Sequence, residues 1–230
     1  ANAAYFTRFG YNIVDCIRSG ELANDADHTG DKRLYTYCYS THDNIYNKNG
    51  SMLDLTYNAL FSPFIPIVYM GEAIGDFTDD SDLSNSDINL YYYGRLKTAA
   101  LERPECRRRY EQVRALLALR RSLPAIYGDH PADHRHSRIE KVAVEGLDSY
   151  QPYACYGGGA ALLVVPNGTD TTATATVTVP ELPGMIGTPT VTEALSGRPL
   201  SLTDGRKFTA AIGAGEVGLY LVRFAEEVRQ

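Results

Sequence analysis

The pattern of hydrophobic residues changes near Gly128, and this change constrains the fold more than any other feature of the sequence. Before Gly128, long segments with apolar residues at helical spacing alternate with short apolar runs. After it, short runs of β-forming residues are separated by turns rich in glycine, proline and asparagine. The sequence therefore predicts an α/β part over residues 1–126 and an antiparallel all-β part over residues 127–230.

In the α/β part, helical and strand patterns follow one another in a regular order. They predict a helix ending near Gly20, a strand over residues 34–39, a helix after Ser51, a strand over residues 65–70 and a helix opened by Pro104. The last helix is expected to turn six residues inward: Cys106, Tyr110, Val113, Leu116, Leu117 and Leu119. This alternation is typical of parallel α/β architecture.

The part after Gly128 contains about seven candidate strands. They cover residues 140–144, 150–156, 161–165, 171–179, 188–192, 207–212 and 217–224. Between Thr172 and Val179, threonine alternates strictly with alanine and valine, so one face of that strand should lie in a core and the other in water. We therefore expect a β-sandwich here.

Composition and charge exclude several classes of partner. The 230 residues carry a net charge of −6, and the one basic run is Arg107 to Arg109, so nucleic acid is not an expected partner. The longest apolar stretch, residues 59–70, is interrupted by two prolines and is much shorter than a membrane helix, so no membrane is expected either. Residues 1–4 do not begin a signal peptide, which leaves both a cytoplasmic and a secreted location open.

The sequence predicts no cofactor and no metal site. The cysteines Cys16, Cys38, Cys106 and Cys155 are widely spaced, which favours buried thiols and leaves two disulfides as the alternative. The histidines at positions 130, 134 and 136 lie in a polar linker, where a solvated turn is the simpler interpretation.

One short motif admits two interpretations. Asn167-Gly168-Thr169 matches a glycosylation sequon and equally fits a hairpin turn.

Polar residues that follow the two predicted parallel strands are the best candidates for a functional site. His42 and Asp43 come after the first strand, and the turn from Tyr69 to Glu72 ends the second. Ligands gather at the carboxyl ends of parallel strands, and both turns should lie at the same edge. The competing interpretation is that His42 and Asp43 only form a local turn.

Three segments of the chain resemble the alpha-amylase family of glycoside hydrolases. Residues 37–44 resemble its seventh barrel strand, which closes in His-Asp, and residues 59–72 resemble its eighth strand with a Tyr-x-Gly turn. Residues 116–125 resemble the last barrel helix, and the β part stands where the family has its antiparallel C-terminal domain. The resemblance implies the last units of a TIM-type (β/α)8 barrel followed by a β-sandwich.

The same resemblance implies roles for four residues. Asp43 would be the carboxylate that stabilises the transition state, His42 would hydrogen-bond the same sugar, and Tyr69 and Glu72 would line the rim. The family usually has glutamate at the position of Ala73, so Glu72 stands one place early. The chain also has no tryptophan.

The family's nucleophile and acid/base belong to strands that would precede Ala1. A closed barrel takes roughly 250 residues, so about 125 residues supply only a part of it. The chain is therefore expected to be the C-terminal portion of a retaining hydrolase or transglycosylase that acts on α-glucosidic bonds, inactive alone. Its expected partners are an oligo- or polysaccharide or α-glucoside substrate and the missing N-terminal barrel portion or another chain. The alternative is a non-catalytic carbohydrate-binding or structural module from a degenerate barrel homologue.

Overall fold

The fold was analysed in a computed structural model. It describes residues 13–18, 36–38, 52–60, 65–68, 73–74, 101–128, 138–148 and 150–224. The elements of the first half are α1 (Ile13–Arg18), β1 (Thr36–Cys38), α2 (Met52–Ala59), β2 (Ile65–Ile67), α3 (Pro104–Arg121) and α4 (Pro124–Tyr127). The predicted order of helix, strand, helix, strand and helix is confirmed.

The two strands of this half pair in parallel. Their register runs from Thr36 opposite Ile65 to Cys38 opposite Ile67. Parallel strands need a crossover connection, and α2 lies in that connection and contacts β2. The helix begins directly after Ser51, and its Leu53, Leu55 and Tyr57 are buried.

The long helix α3 buries a narrower stripe than the sequence predicted. Its buried residues are Cys106, Val113, Leu116 and Leu119, whereas Leu117 is half-buried and Tyr110 is 38% exposed. The prediction for Tyr110 was wrong because the stripe is centred between Val113 and Leu116, and residues 110 and 117 lie on its flank. Helix α4, which was not predicted, follows at once with Pro124 in its first position.

The second half is an antiparallel β-sandwich. Its strands are β3 (Ile139–Lys141), β4 (Ala143–Glu145), β5 (Tyr153–Gly157), β6 (Ala160–Pro166), β7 (Ala173–Thr178), β8 (Pro189–Glu193), β9 (Pro199–Leu200), β10 (Lys207–Ile212) and β11 (Val217–Phe224). One sheet has the order β3-β5-β6-β11-β8-β9, and the other has the order β10-β7-β4. All pairs in both sheets are antiparallel.

The sandwich has nine strands where about seven were predicted. The single strand expected over residues 140–144 is divided at Val142, and its halves β3 and β4 belong to different sheets. Val142 is buried and its N–H donates to the carbonyl of Pro152 at 3.1 Å, which holds the chain at the corner between the sheets. The two-residue strand β9 is too short to leave a pattern in the sequence.

The six-stranded sheet is the middle layer of the described structure, because its neighbouring strands β5 and β6 are buried on both faces. Ala154 and Leu163 face the small sheet, where they join a core that includes Val177 and Phe208. The opposite faces of β5 and β6 pack on the helices. The alternation predicted for residues 172–179 is confirmed in β7, since Val177 is fully buried and Thr174 is exposed.

A glycine permits the helices to approach this sheet closely. Gly157 ends β5 against α4, and a Cβ atom placed on it would lie 2.1 Å from the carbonyl oxygen of Ala125. Any side chain at residue 157 would therefore push the main chain of α4 away.

The sequon asparagine belongs to the interior of the sandwich. Asn167 is fully buried, and its Nδ2 donates to the carbonyl oxygens of Thr171, Ile212 and Gly213 at 2.9, 2.9 and 3.0 Å. N-glycosylation would have to modify this nitrogen, which is buried and hydrogen-bonded in the folded chain. The structure therefore supports a turn at Asn167, but the expected hairpin is wrong, because β6 and β7 on either side of it belong to different sheets.

Cys106 and Cys155, whose side chains the structure describes, are buried, as expected of structural thiols. The pairing alternatives that involve Cys16 and Cys38 depend on side chains outside the described residues.

Candidate functional site

The candidate site lies where the parallel strands β1 and β2 end. Because Cys38 is opposite Ile67, both strands leave the sheet at the same edge. His42 and Asp43 follow Cys38 by four and five residues, and Tyr69 follows Ile67 by two. The predicted site residues His42, Asp43, Tyr69 and Glu72 themselves lie outside the described residues.

Described residues lie on both sides of the turn predicted over residues 69–72. Val68, before this turn, is half-buried. Ile74, directly after it, is buried in a small cluster with Cys106 and Leu101 at the start of α3. The described residues thus run from the end of β2 at Val68 to Ile74 beside the amino end of α3.

The carboxyl end of α2, which precedes β2 in the chain, is held by four side chains from other elements. The hydroxyl of Tyr153 donates to the carbonyl of Tyr57 at 2.8 Å, and Arg120 Nη1 donates to the carbonyl of Ala59 at 3.1 Å. The carbonyl of Leu60 accepts the hydroxyl of Tyr127 at 2.8 Å and the thiol of Cys155 at 3.8 Å. We call the donors Arg120, Tyr127, Tyr153 and Cys155 the helix clamp.

A second set of contacts joins α1 and α2 to the segment that leads into β5. Tyr57 donates its hydroxyl to the carbonyl of Gln151 at 2.8 Å, and Gln151 Oε1 accepts the N–H of Val14 at 3.0 Å. The rings of Tyr57 and Tyr153 meet edge to face, with centroids 5.0 Å apart. The helices and the sandwich are thus joined by directed hydrogen bonds as well as by apolar packing.

The electrostatics of the clamp favour hydrogen-bond donation over proton transfer. Burial raises the pKa of Tyr57, Tyr127 and Tyr153 well above the usual value, so these phenols are neutral donors. Burial also lowers the pKa of Arg120, whose guanidinium lies 4.2 Å from the centre of the Tyr127 ring. The positive charge of Arg120 at the carboxyl end of α2 is favourable, because the helix dipole is negative there. No catalytic proton transfer needs to be assigned to Arg120.

The clamp was missed in the sequence, although α3 contains a signal for it. Positions 106, 113, 116 and 119 form its inward stripe, and arginine stands at positions 109 and 120 on the same side of the helix. Arginine at an inward position of an amphipathic helix indicates a buried acceptor. Tyr153 gave no such signal, because tyrosine is common in buried strands.

The described residues also bear on metal sites and membrane spans. Within these ranges, no group of three or more histidine, cysteine, aspartate or glutamate side chains is arranged to hold a metal ion. None of the helices described is both long and apolar enough to cross a membrane.

The fold is similar to that of solved alpha-amylases. An alpha-amylase from H. orenii aligns with 94% of this chain and 48% of its own, with a TM-score of 0.59 and 14% identity. AmyB, a noncanonic maltogenic alpha-amylase from Thermotoga neapolitana, aligns with 96% of this chain and 49% of its own, with a TM-score of 0.56 and 11% identity. AmyP, solved in complex with maltose, aligns with 74% and 33%, with a TM-score of 0.52 and 16% identity.

This chain spans between a third and a half of the length of these three structures. No protein-family model matches the sequence, and no curated protein matches it. The similarity therefore concerns the fold, and it covers most of this chain. The predicted fold class, α/β units followed by an antiparallel β-sandwich, is confirmed.

Proposed function

We propose that this chain is the C-terminal portion of an alpha-amylase-like retaining glycoside hydrolase or transglycosylase that acts on α-glucosidic bonds. The observation that carries the proposal is the parallel pair β1 and β2 with α2 between them, followed by α3 and the antiparallel sandwich. This succession aligns with alpha-amylase structures over 94% and 96% of the chain. Residues 1–126 then belong to the barrel and residues 127–230 to the β domain.

Asp43 is the residue to which we assign the stabilisation of the transition state. It follows β1 at the edge where ligands of parallel sheets bind. A carboxylate there can accept hydrogen bonds from hydroxyls of the sugar at the cleaved bond, and such bonds strengthen as the ring approaches an oxocarbenium ion. His42 binds the same sugar, and Tyr69 and Glu72 line the rim.

The nucleophile and the general acid/base come from a segment outside this chain. Retaining hydrolysis needs two carboxyl groups about 5 Å apart, and the proposed barrel position of this chain assigns it neither group. Within the described residues, β1 and β2 form a sheet of two strands. Their outer edges are where the N-terminal barrel portion, or another chain that supplies it, would add further strands.

The proposed ligands are α-linked oligo- or polysaccharides and simpler α-glucosides. AmyP was solved with maltose, an α-linked disaccharide, and its fold is similar to that of this chain. The acidic net charge of −6 is compatible with a neutral sugar ligand.

The replacement Asp43→Asn in the full-length protein tests this function. We expect kcat/KM on soluble starch to fall at least about 100-fold, since removal of several kcal/mol of transition-state stabilisation lowers the rate tenfold per 1.4 kcal/mol. Asp148→Asn, at an exposed carboxyl of the β domain, is the matched control and should leave kcat/KM unchanged. In the same assay the isolated 230-residue chain should give no turnover.

A loss of less than about tenfold in Asp43→Asn would remove the role assigned to this carboxylate. If the full-length wild-type protein binds maltose without cleaving any α-glucoside, the chain is part of a carbohydrate-binding module instead.

A further inference from the structure

Strand β3 lies at one side of the six-stranded sheet, and it is the outermost strand there among the strands that the structure describes. The carbonyl of Arg138 and the N–H of Val142 form hydrogen bonds on the side of β5. Hydrogen-bonding directions alternate along an antiparallel strand. The backbone groups of Ile139 and Lys141 therefore point away from β5, toward the outer edge of the sheet.

Helix α1 lies across this edge. Arg18 Nη2 donates to the carbonyl oxygen of Ile139 at 3.0 Å, so it occupies one of the outward-pointing backbone groups. Arg18 also pairs with Glu140, and Lys141 Nζ lies 2.5 Å from Asp15 Oδ2. Neighbouring side chains of a strand point to opposite faces of its sheet. A helix that pairs with both Glu140 and Lys141, and with the backbone beside them, lies where the two faces meet.

Two kinds of contact hold α1 in this place. Val14 is fully buried in the core that the helices share with the sheet, and its N–H donates to Gln151 Oε1 at 3.0 Å. The ion pairs, in contrast, are largely exposed, with 42% of the Arg18 side chain and 47% of the Lys141 side chain accessible. Exposed pairs contribute little stability. They specify position instead, because a shift of α1 along the edge would break both pairs.

We infer that α1 protects the edge of β3 from pairing with the β3 edge of a second copy of this chain. The outermost strand of a sheet is a template for another strand unless something covers it. A second copy presents the same outward-pointing groups at Ile139 and Lys141, so two uncovered edges are complementary in an antiparallel pair. The inference is independent of the proposed function, since it concerns only α1 and the β domain.

Sedimentation velocity of the full-length protein tests this inference. The test variant combines Asp15→Ala with Arg18→Ala, which removes both ion pairs and the bond to Ile139 and leaves the net charge unchanged. Between about 1 and about 100 µM, we expect its weight-average mass to rise to at least about 1.5 times that of the wild-type protein. The matched control combines Glu111→Ala with Arg114→Ala, which removes an exposed ion pair within α3 and should keep the wild-type mass.

Two further variants locate the contact and guard against a failure to fold. Arg18→Ala alone keeps the buried Val14 and the pair of Asp15 with Lys141, and it should show a smaller rise in mass. Lys141→Pro removes an outward-pointing N–H and leaves the bonds to β5 in place, so it blocks a strand that pairs from outside. Added to the test variant, Lys141→Pro should return the mass to the wild-type value.

Three results overturn the inference. A wild-type mass in both alanine variants over the whole concentration range means that α1 is not what keeps the edge from pairing. Association that persists after Lys141→Pro is added means that the copies meet elsewhere. An equal rise in the Glu111→Ala and Arg114→Ala control means that the loss of any exposed ion pair has this effect.

Discussion

Replacement of Asn167 by alanine tests how the sandwich is closed at one end. Asn167 follows β6 directly, and its amide joins two stretches of main chain by bonding three carbonyls, those of Thr171, Ile212 and Gly213. Its Oδ1 in turn accepts the backbone N–H of Thr169 at 3.1 Å. One fully buried side chain thus connects the turn after β6 with the end of β10 and the chain that leads to β11.

The magnitude follows from the bonds that are lost. Each intramolecular hydrogen bond contributes about 1 kcal/mol net, and a buried polar group left without its partner costs about 1–3 kcal/mol. The bond to Ile212 is buried, whereas the groups at Thr171 and Gly213 are partly accessible to water. We therefore expect Asn167→Ala to lower the free energy of unfolding by about 3 kcal/mol, a large fraction of the total for a typical domain.

Chemical denaturation in urea, followed by circular dichroism, measures this loss. Thr171→Ala is the matched control: it changes an exposed side chain in the same turn and keeps the carbonyl that Asn167 uses, so its effect should stay below about 0.5 kcal/mol. Asn167→Asp keeps the shape and replaces the donor with a carboxylate facing carbonyl oxygens. The folded state then favours the protonated acid, so the destabilisation should grow as the pH rises from about 4 to about 7.

A loss of less than about 1 kcal/mol in Asn167→Ala would refute this account, because it would mean that water replaces the buried amide without cost. Attachment of a glycan at Asn167 in the folded protein would refute it as well, since the acceptor nitrogen would then have to be accessible.

Two further predictions concern the β domain. Gly157→Ala should lower the free energy of unfolding by about 1–3 kcal/mol in urea denaturation, because the new Cβ would meet the carbonyl of Ala125; a loss below about 0.5 kcal/mol would mean that α4 can move aside. Hydrogen bonds lower the pKa of Glu193, the larger effect coming from Ser196 and the smaller from Arg198. The stability that this carboxylate contributes is therefore present above its unfolded pKa. It is lost as the pH falls through its folded pKa. Ser196→Ala should raise the pKa of Glu193 in an NMR titration, with a small effect on stability because the carboxylate is 38% exposed; an unchanged pKa would contradict the assignment.

The elements of the fold could be predicted where local pattern and tertiary environment agree. Strand β7 has one buried and one solvent-exposed face, so the alternation of threonine with alanine and valine is visible directly in the sequence. The corner at Val142 could not be predicted, since β3 and β4 read as one continuous β-forming run. At Val142 the chain passes from one sheet to the other while its N–H donates to the carbonyl of Pro152, and no local propensity encodes such a change of partner strand.

For the candidate site, the sequence predicts where the strands end but not the side chains that hold the neighbouring helix. The parallel register of β1 and β2 follows from two short apolar runs with a helix between them, and it is what places the ends of both strands at one edge. The roles of His42 and Asp43 stay predictions, because these residues lie outside the described ranges. The clamp escaped prediction because Arg120 acts on a backbone carbonyl, and backbone acceptors leave no trace in residue identity.

The change of hydrophobic pattern near Gly128 does not mark a place where the chain can be cut. All residues of β5 and β6 are buried, and the faces that carry Tyr153 and Leu162 are covered by helices that precede Gly128 in the sequence. A polypeptide that began after the helices would present this apolar face to water, with the Tyr153 hydroxyl deprived of its acceptor on Tyr57. The sandwich and the end of the α/β part therefore share one hydrophobic core, so a replacement of either part in evolution needs a matching change in the other.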